Sequence, residues 1–329
     1  MTLISKLPND FTIGYYLSKS KLERLKWDQF VELCKTKYNI KCIPIDMEVT
    51  EYTSDKCPYD IIVDKLTDEL SNQMKESNKK TISQIKKLLE RYPNLIQVDA
   101  LESQIPVLDR VTLSVLLEKL NDLPSHLNVK SPNFVVIEKK LDNYTSLLES
   151  RSIRFPIVVK PIQACGSEES HLMSILFKEE DLHSIESQFP VLVQEYINHN
   201  AIIYKAFVIG NYTSVVYRKS LKNLSTDEKS PIYFDSQKPL PPTLLDQQDV
   251  DTSLVELPTL ETLSAISKDL QKHLSLTLFG FDVIIDCVSK KLSIVDVNYF
   301  PTYGGIKDFF SILLDHIINV YLEKSKEQK

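Results

Sequence analysis

Residues 278–305 read LFGFDVIIDCVSKKLSIVDVNYFPTYGG, and the fold turns on this stretch. Two apolar runs, FGFDVIID and LSIVDVN, predict strands joined by a polar turn at Ser289, Lys290 and Lys291. Each run carries acidic residues that a buried strand normally avoids. Asp296 and Asn298 alternate with Val297, so a strand puts both side chains on one face. Asp282 lies in the first run, the expected antiparallel neighbour. For either aspartate alone, a strand-end residue satisfied by a turn is the simpler reading. Together, two carboxylates and an amide oxygen make a hard-oxygen site suited to Mg²⁺, which completes its shell with water and substrate phosphates. The loop over 301–305 follows at once and can bring backbone N–H groups close to a ligand.

The rest of the chain narrows the class. Its 329 residues leave room for two or three domains. A hydrophobic content of 43% and a charged content of 26% are those of a soluble globular protein. No run is long and apolar enough to span a bilayer, and MTLISKLPNDF lacks the apolar core of a signal peptide. Cys34, Cys42, Cys57, Cys165 and Cys287 form no CxxC pair. They fit reduced thiols in a cytoplasmic protein, not a disulfide frame or a zinc site. A net charge of −6 weighs against nucleic acid as a partner. A small polyanion stays possible if cations are concentrated locally. The six glycines form neither a P-loop nor GxGxxG, and three of them, Gly166, Gly304 and Gly305, lie in two candidate ligand loops.

Strands over 11–17, 40–45, 59–66 and 95–99 alternate with helical patterns over 18–38 and 79–92. This predicts a parallel α/β domain over 1–106, with ligands beyond the carboxyl ends of its strands. Lys21 and Lys65 stand at two such ends. A helix over 108–120 opens on Asp109 as N-cap. Strands over 133–138 and 155–161 follow, the second carrying Lys160. Residues 163–177 form a small-residue loop, with Gly166 and Ser167 at its tip and His171 leading back into a strand. A lid over phosphates and a plain hairpin both fit that pattern. Residues 191–197 predict a strand, and 202–218 a hairpin turning at Gly210 and Asn211. Arg218, Lys219 and Lys222 cluster beside Ser220. A charge run is by default a solvated face; in an acidic protein it also suits a phosphate cradle. Residues 224–258, with Thr226, Pro231, Pro239, Pro241 and Pro242, read as a long loop in which only 232–234 is strand-like. Amphipathic helices over 259–276 and 308–323 precede a frayed tail, KSKEQK.

Lys160 after a strand, the small-residue loop, QEYI at 194–197 and Asp282 with Asp296-x-Asn298 resemble the ATP-grasp fold. The motifs GYYLSKSK (14–21), DKLTD (64–68), LDR (108–110), GSEESH (166–171), QEYINHNAIIYK (194–205), RKSLKN (218–223), FGFD (279–282) and DVNYFP (296–301) are more specific. Over nearly the whole chain they resemble the inositol 1,3,4-trisphosphate 5/6-kinase family, also called inositol tetrakisphosphate 1-kinases. The resemblance implies an α/β ATP-grasp fold behind an N-terminal parallel-sheet domain. An inositol-phosphate-binding domain would cover 1–106, a central ATP-grasp subdomain 107–195, and a C-terminal subdomain carrying the metals 196–329. It implies ATP and two Mg²⁺ ions, and transfer of a phosphoryl group to a free hydroxyl of a soluble inositol polyphosphate. Such substrates are inositol 1,3,4-trisphosphate, at the 5- or 6-position, and inositol 3,4,5,6-tetrakisphosphate, at the 1-position.

The same resemblance implies residue roles. Arg110, Lys160, Lys205, Ser220 and Ser236 would meet ATP, with Gln194, Glu195, Tyr196 and Ile197 along the adenine. Asp282, Asp296 and Asn298 would hold metal. Lys21, Lys65, His171, Lys205, Asn298 and Thr302 would face the inositol phosphate. Catalysis would fall to Lys160, His171, Lys205 and Asp296. Three positions depart from the family pattern: Thr302 and Cys165, where glycine and histidine are usual, and Gly304, where a longer side chain is common. They bear on substrate choice. A carboxylate–amine ligase using the same ATP residues, or a non-catalytic sensor, are the competing readings. No membrane or nucleic acid partner is expected, and the chain is expected to act as a monomer.

Overall fold

A computed structural model describes residues 3–49, 52–225, 230–240, 244–245 and 257–327. Four parallel strands, β1 (Thr12–Tyr16), β2 (Lys41–Pro44), β3 (Ile61–Asp64) and β4 (Ile96–Gln97), form the N-terminal sheet in the order β2-β1-β3-β4. Ile13, Ile61, Ile62 and Val63 are fully buried, as in a sheet covered on both faces. The cover comes from α1 (Lys19–Leu25), α2 (Trp27–Tyr38), α3 (Thr67–Ser71) and α4 (Glu76–Arg91). The single helix expected over 18–38 is two helices. Lys26 takes a left-handed φ of 55° and caps α1 by donating its N–H to the Leu22 and Glu23 carbonyls. No glycine or proline marks that break in the sequence.

Asp109 caps α5 (Arg110–Glu118) as expected, its carboxylate accepting from Thr112 N at 2.6 Å. Leu113, Leu117 and Leu120 pack into the same core as the N-terminal sheet, so this helix leans on the first domain and not on the central one. The central sheet takes β5 (Phe134–Ile137), β6 (Ile157–Pro161), β7 (Leu172–Leu176) and β8 (Val191–Glu195), with α6 (Thr145–Ser150) and α7 (Glu179–Leu182) beside them. A long hairpin follows, β9 (Ile202–Ile209) and β10 (Tyr212–Lys219), turning at Gly210 and Asn211. β11 (Ile232–Asp235) then returns to pair with β7, giving the order β11-β7-β6-β8-β5. The expected boundary at residue 196 is therefore crossed once by the chain.

After α8 (Leu260–Leu274), β12 (Leu278–Ile285) and β13 (Leu292–Tyr299) complete an antiparallel sheet, β10-β9-β12-β13, and α9 (Phe309–Glu327) closes the fold. Tyr204, Ala206, Phe279, Phe281 and Val283 send this sheet's inner face into one core shared with Ile13, Trp27 and Phe30 of the N-terminal domain. Each buried aromatic contributes about 2–3 kcal/mol by area. The central sheet has its own core around Tyr144, Ile157, Val159 and Val193. The N-terminal and C-terminal sheets thus form one packed body, and the central sheet faces it across a cleft. Residues 324–327, expected to fray, continue α9 because the Lys324 ammonium donates to the Gln97 carbonyl at 2.8 Å. Thr226, Pro241, Pro242 and the last two residues lie outside the described residues. No described helix is long and apolar enough to cross a membrane.

Candidate active site

The cleft face of the C-terminal sheet is set by strand register. Lys205 on β9 pairs with Asp282 on β12, and Asp282 pairs with Asp296 on β13. Residues directly opposite in a ladder share a face, so one lysine and two carboxylates stand in a row across three strands. The ladder slips between Asp282 and Val283, where Ile294 becomes the partner and Val295 is left over. Such a bulge re-aims side chains beside a site. The Lys205 ammonium lies 3.2 Å from Asp282 Oδ1 as an ion pair, yet that buried oxygen has no aligned hydrogen bond. Burial pushes the Asp282 carboxyl up, Lys205 opposes this and Asp296 reinforces it. Asn298 Nδ2 donates to Asp296 Oδ2 at 2.7 Å, leaving the amide oxygen for another partner.

Among the described residues no three His, Cys, Asp or Glu side chains form a closed metal cage. The two carboxylates and the Asn298 amide oxygen instead make an open half-shell, in which Asp282 Oδ1 has no aligned hydrogen bond. That fits Mg²⁺, which keeps several positions for water and phosphate oxygens.

Lys160 on β6 reaches across from the central sheet. It is buried, and its ammonium donates to Gln194 Oε1 at 2.8 Å and to the Val295 carbonyl at 3.2 Å. The bulged residue is thus one contact between the two walls. Burial pushes Lys160 down to about 8, with Asp296 opposing that shift. Arg110 donates from one guanidinium nitrogen to the Pro161 and Gln163 carbonyls, at 2.9 and 2.7 Å, and so pins the loop that follows Lys160. The Asp296 charge raises Lys160, Arg110 and His171 alike against the downward push of burial.

The segment after β8 is held by its side chains. Glu195 accepts from Asn133 N at 2.7 Å and pairs with Lys130 at 3.3 Å, so its carboxylate is engaged by protein groups. The Tyr196 hydroxyl donates to the Lys222 carbonyl at 2.8 Å. His199 faces the Ile197 carbonyl through Nδ1 at 2.7 Å and Ser220 Oγ through Nε2 at 2.9 Å. A carbonyl only accepts, so Nδ1 carries the proton and the Ser220 hydroxyl donates to Nε2. Ser220, expected to meet ATP phosphates, keeps only its lone pairs for a partner. Ser236 N donates to the His171 carbonyl at 2.9 Å, tying β11 to the loop end.

The segment from β6 to β7 is a hairpin, since those strands pair antiparallel, and its loop is tied down at residues 163–167. Gln163 Nε2 donates to the Ser71 carbonyl at 3.3 Å, and Cys165 Sγ lies 2.8 Å from Ser71 Oγ. The loop is strapped onto α3 of the N-terminal domain. Gly166 has φ +93°, and a Cβ there would stand 2.6 Å from Ser71 Cβ, so only glycine fits. His171 is half-buried above this strap, its imidazole pushed down by burial and by Arg110.

Lys21 and Lys65 stand at the carboxyl ends of β1 and β3 as expected, and each donates to main-chain carbonyls. The Lys21 ammonium donates to the Phe300 carbonyl and, at 2.7 Å, to that of Pro301. Lys65 donates to the Tyr299 carbonyl at 2.9 Å. Burial, with Lys65 beside it, pushes Lys21 down to about 6, and burial lowers Lys65 as well. Thr302 is exposed just beyond this contact. One residue was passed over as a site candidate. Arg218 on β10 is two positions from Val216, the partner of Lys205, and so shares the carboxylate face; its charge lowers the Asp282 carboxyl. Its signal was the basic knot, which sequence alone could not assign to a face.

Residues 124–319 match the inositol 1,3,4-trisphosphate 5/6-kinase ATP-grasp domain, and residues 12–104 the pre-ATP-grasp domain of the same kinase. The chain is 32% identical to an inositol-tetrakisphosphate 1-kinase of Xenopus laevis, over 94% of this chain and 78% of that protein. It is 33% identical to one of Danio rerio, with the same coverage. Among solved structures, an ATP-complexed D-alanine–D-alanine ligase from Bacillus anthracis aligns with a TM-score of 0.57 at 17% identity, covering 98% of this chain and 100% of that one. A RimK domain ATP-grasp protein from Sphaerobacter thermophilus aligns at 0.56 and 11% identity, covering 94% and 99%. These structural likenesses show the fold, which is ATP-grasp. The two domain matches and the curated relatives show more: the chain belongs to the inositol 1,3,4-trisphosphate 5/6-kinase family.

Proposed function

We propose that the protein transfers the γ-phosphoryl group of ATP to a free hydroxyl of a soluble inositol polyphosphate. The observation that carries this reading is the row Lys205, Asp282 and Asp296, the first two ion-paired, facing the buried Lys160 across the cleft. Phosphoryl transfer requires positioning and charge neutralisation more than covalent chemistry, and this arrangement supplies both. Asp282 and Asp296 would hold one Mg²⁺, and Asp296 and Asn298 a second, the metal supplying charge neutralisation at the ATP phosphates.

The chain's own groups do the rest. Lys160 and Arg110 offset phosphate charge from the central wall, with the lone pairs of Ser220 and the backbone near Ser236 at its rim. The main chain of 194–197 lies along the adenine, since the Glu195 carboxylate is engaged elsewhere. Lys205 leaves Asp282 for phosphate once that carboxylate is coordinated. His171 hydrogen-bonds a substrate phosphate or the accepting hydroxyl, and Arg218 faces the same space. Thr302 borders the sugar ring. One chain supplies both walls, so we further propose a monomer, acting in the cytoplasm. Incubating the protein with Mg-ATP and a panel of inositol tris- and tetrakisphosphates, then identifying the product isomers, tests the reading. Absence of any phosphorylated inositol, together with phosphate release on adding amino acids, would support the ligase chemistry of the structural neighbours instead.

A further inference from the structure

The backbone that leaves β13 crosses the cleft face of the C-terminal sheet. Asn298, Gly280, Phe207 and Ser214 pair across β13, β12, β9 and β10, two residues along each strand from the row of Asp296, Asp282, Lys205 and Val216. The loop over 301–305 lies on that face. Pro301 covers Gly280, where a Cβ would meet Pro301 Cγ at 3.1 Å. The Tyr303 ring lies 5.5 Å from that of Phe207, and its hydroxyl donates to the Val208 carbonyl at 3.1 Å. Gly305 reaches β10, where a Cβ would meet Val216 Cγ1 at 3.1 Å. The loop is thus an end wall of the cleft, anchored at 301, 303 and 305, with Thr302 and Gly304 exposed between the anchors. Cations stand at both ends of this wall. At the β13 end Lys65 and Lys21 donate to the carbonyls of 299–301, and an ammonium has three protons, so neither is used up by them. At the β10 end are Lys205, the ladder partner of Val216, and Arg218, two residues further along the same strand face.

Gly304 is the opening in the wall. Gly305 has φ +92° and a neighbour against it, so its backbone calls for glycine; Gly304 has neither, and a Cβ there would meet nothing within 4 Å. We infer that Gly304 is a specificity-determining position. Its missing side chain opens a phosphate subsite at the β10 end of the wall, beside Lys205 and Arg218, so that the site favours inositol tetrakis- and pentakisphosphates over trisphosphates. The inference rests on the reading of the cleft as an inositol phosphate site. Each further phosphate on the ring brings roughly −1.5 to −2 charges, and it needs both empty volume and a cation to face. Lys205 is ion-paired with Asp282 at 3.2 Å, and the exposed Arg218 supplies a second positive charge on that face. A side chain of glutamate length at 304 would fill the volume and add a charge of the wrong sign.

Titration calorimetry on the whole protein, loaded with Mg²⁺ and a non-hydrolysable ATP analogue, reads the affinity for an inositol tris-, tetrakis- and pentakisphosphate in turn. The wild type should bind the pentakisphosphate more tightly than the trisphosphate. Gly304→Glu should move the ratio of those two affinities by ~tenfold or more against the pentakisphosphate, the loss of one charge-assisted contact. Gly304→Gln, which fills the space without the charge, should reproduce most of that shift, and Arg218→Gln should shift the ratio in the same direction. The ratio is taken within one protein, so a variant that is partly unfolded still reports it. A ratio that keeps its wild-type value in both Gly304 variants, whether the affinities hold or fall together, would overturn the subsite. A wild type that binds the ATP analogue and none of the three inositol phosphates would instead reject the reading on which the inference rests.

Discussion

Asp282 and Asp296 stand directly opposite each other on neighbouring antiparallel strands, at the residue where the β12–β13 ladder slips. Two carboxylates in that position repel; Lys205 offsets part of the conflict at Asp282, and a bound cation would offset more. Asp296→Asn should therefore lower turnover by ~10²-fold or more at saturating ATP, since it weakens charge stabilisation at the transferring group. Steady-state rates across a Mg²⁺ titration check this. Near-normal turnover at high Mg²⁺ would remove Asp296 from the metal site.

Lys160 joins the two walls through Gln194 and the bulged Val295 carbonyl. Lys160→Ala should raise the KM for ATP by ~10-fold or more, the loss of one charge-assisted contact, and change that for inositol phosphate far less. The reverse pattern would put Lys160 on the substrate side of the cleft.

The strands β12 and β13 were legible because alternation alone puts Asp296 and Asn298 on one face, and the hairpin turn then brings Asp282 opposite. The N-terminal parallel sheet was legible for a similar reason, since its strands alternate with helical periodicity. Three features were not. The left-handed Lys26 that divides α1 from α2 has no side-chain signature. The return of β11 to β7 depends on pairing across about 60 residues, which no local pattern encodes. The lysines at 21 and 65 were placed at the right strand ends, but a lysine's partner is a matter of tertiary packing. Sequence could not show that these two would meet main-chain carbonyls.

Gly166 lies on the strap that joins the Lys160 loop to α3. Gly166→Ala puts a Cβ at positive φ and against Ser71, at a cost of ~1–3 kcal/mol of stability if the strap stays docked. The loop should undock in part, raising the KM for inositol phosphate more than that for ATP. Ser71→Gly in the same chain should recover the steric part and leave the backbone part. Urea denaturation of both variants, with the two KM values, checks the partition. An unaltered KM for both substrates would make the strap a packing feature only.

A last prediction concerns the seam between the N-terminal and C-terminal sheets. Asp99 accepts from Thr277 N, Thr277 Oγ1 and Leu278 N at 2.7, 2.8 and 2.9 Å. The Thr277 hydroxyl has one proton and gives it to Asp99, so it must accept from His316 Nε2 at 2.7 Å. His316 is thus neutral with its proton on Nε2, and the other side of its ring is closed by Gly210, where a Cβ would stand 2.3 Å from Nδ1. Burial pushes the imidazole down to about 4. A folded value below the unfolded one contributes stability above pH ~6.5 that is lost as pH falls through 4. Asp99 works in the opposite sense, because burial raises it to about 6, so its contribution grows as pH falls through that value. The two partly cancel in the wild type, and acid stability alone would hide both. His316→Gln retains a donor near the Nε2 position and cannot be protonated. Relative to the wild type, it should gain up to ~3 kcal/mol between pH 6.5 and 4, the full linkage of one buried histidine. Urea midpoints of both proteins across that range give the difference directly. A difference independent of pH would mean that His316 takes up its proton without strain, and that the seam tolerates charge.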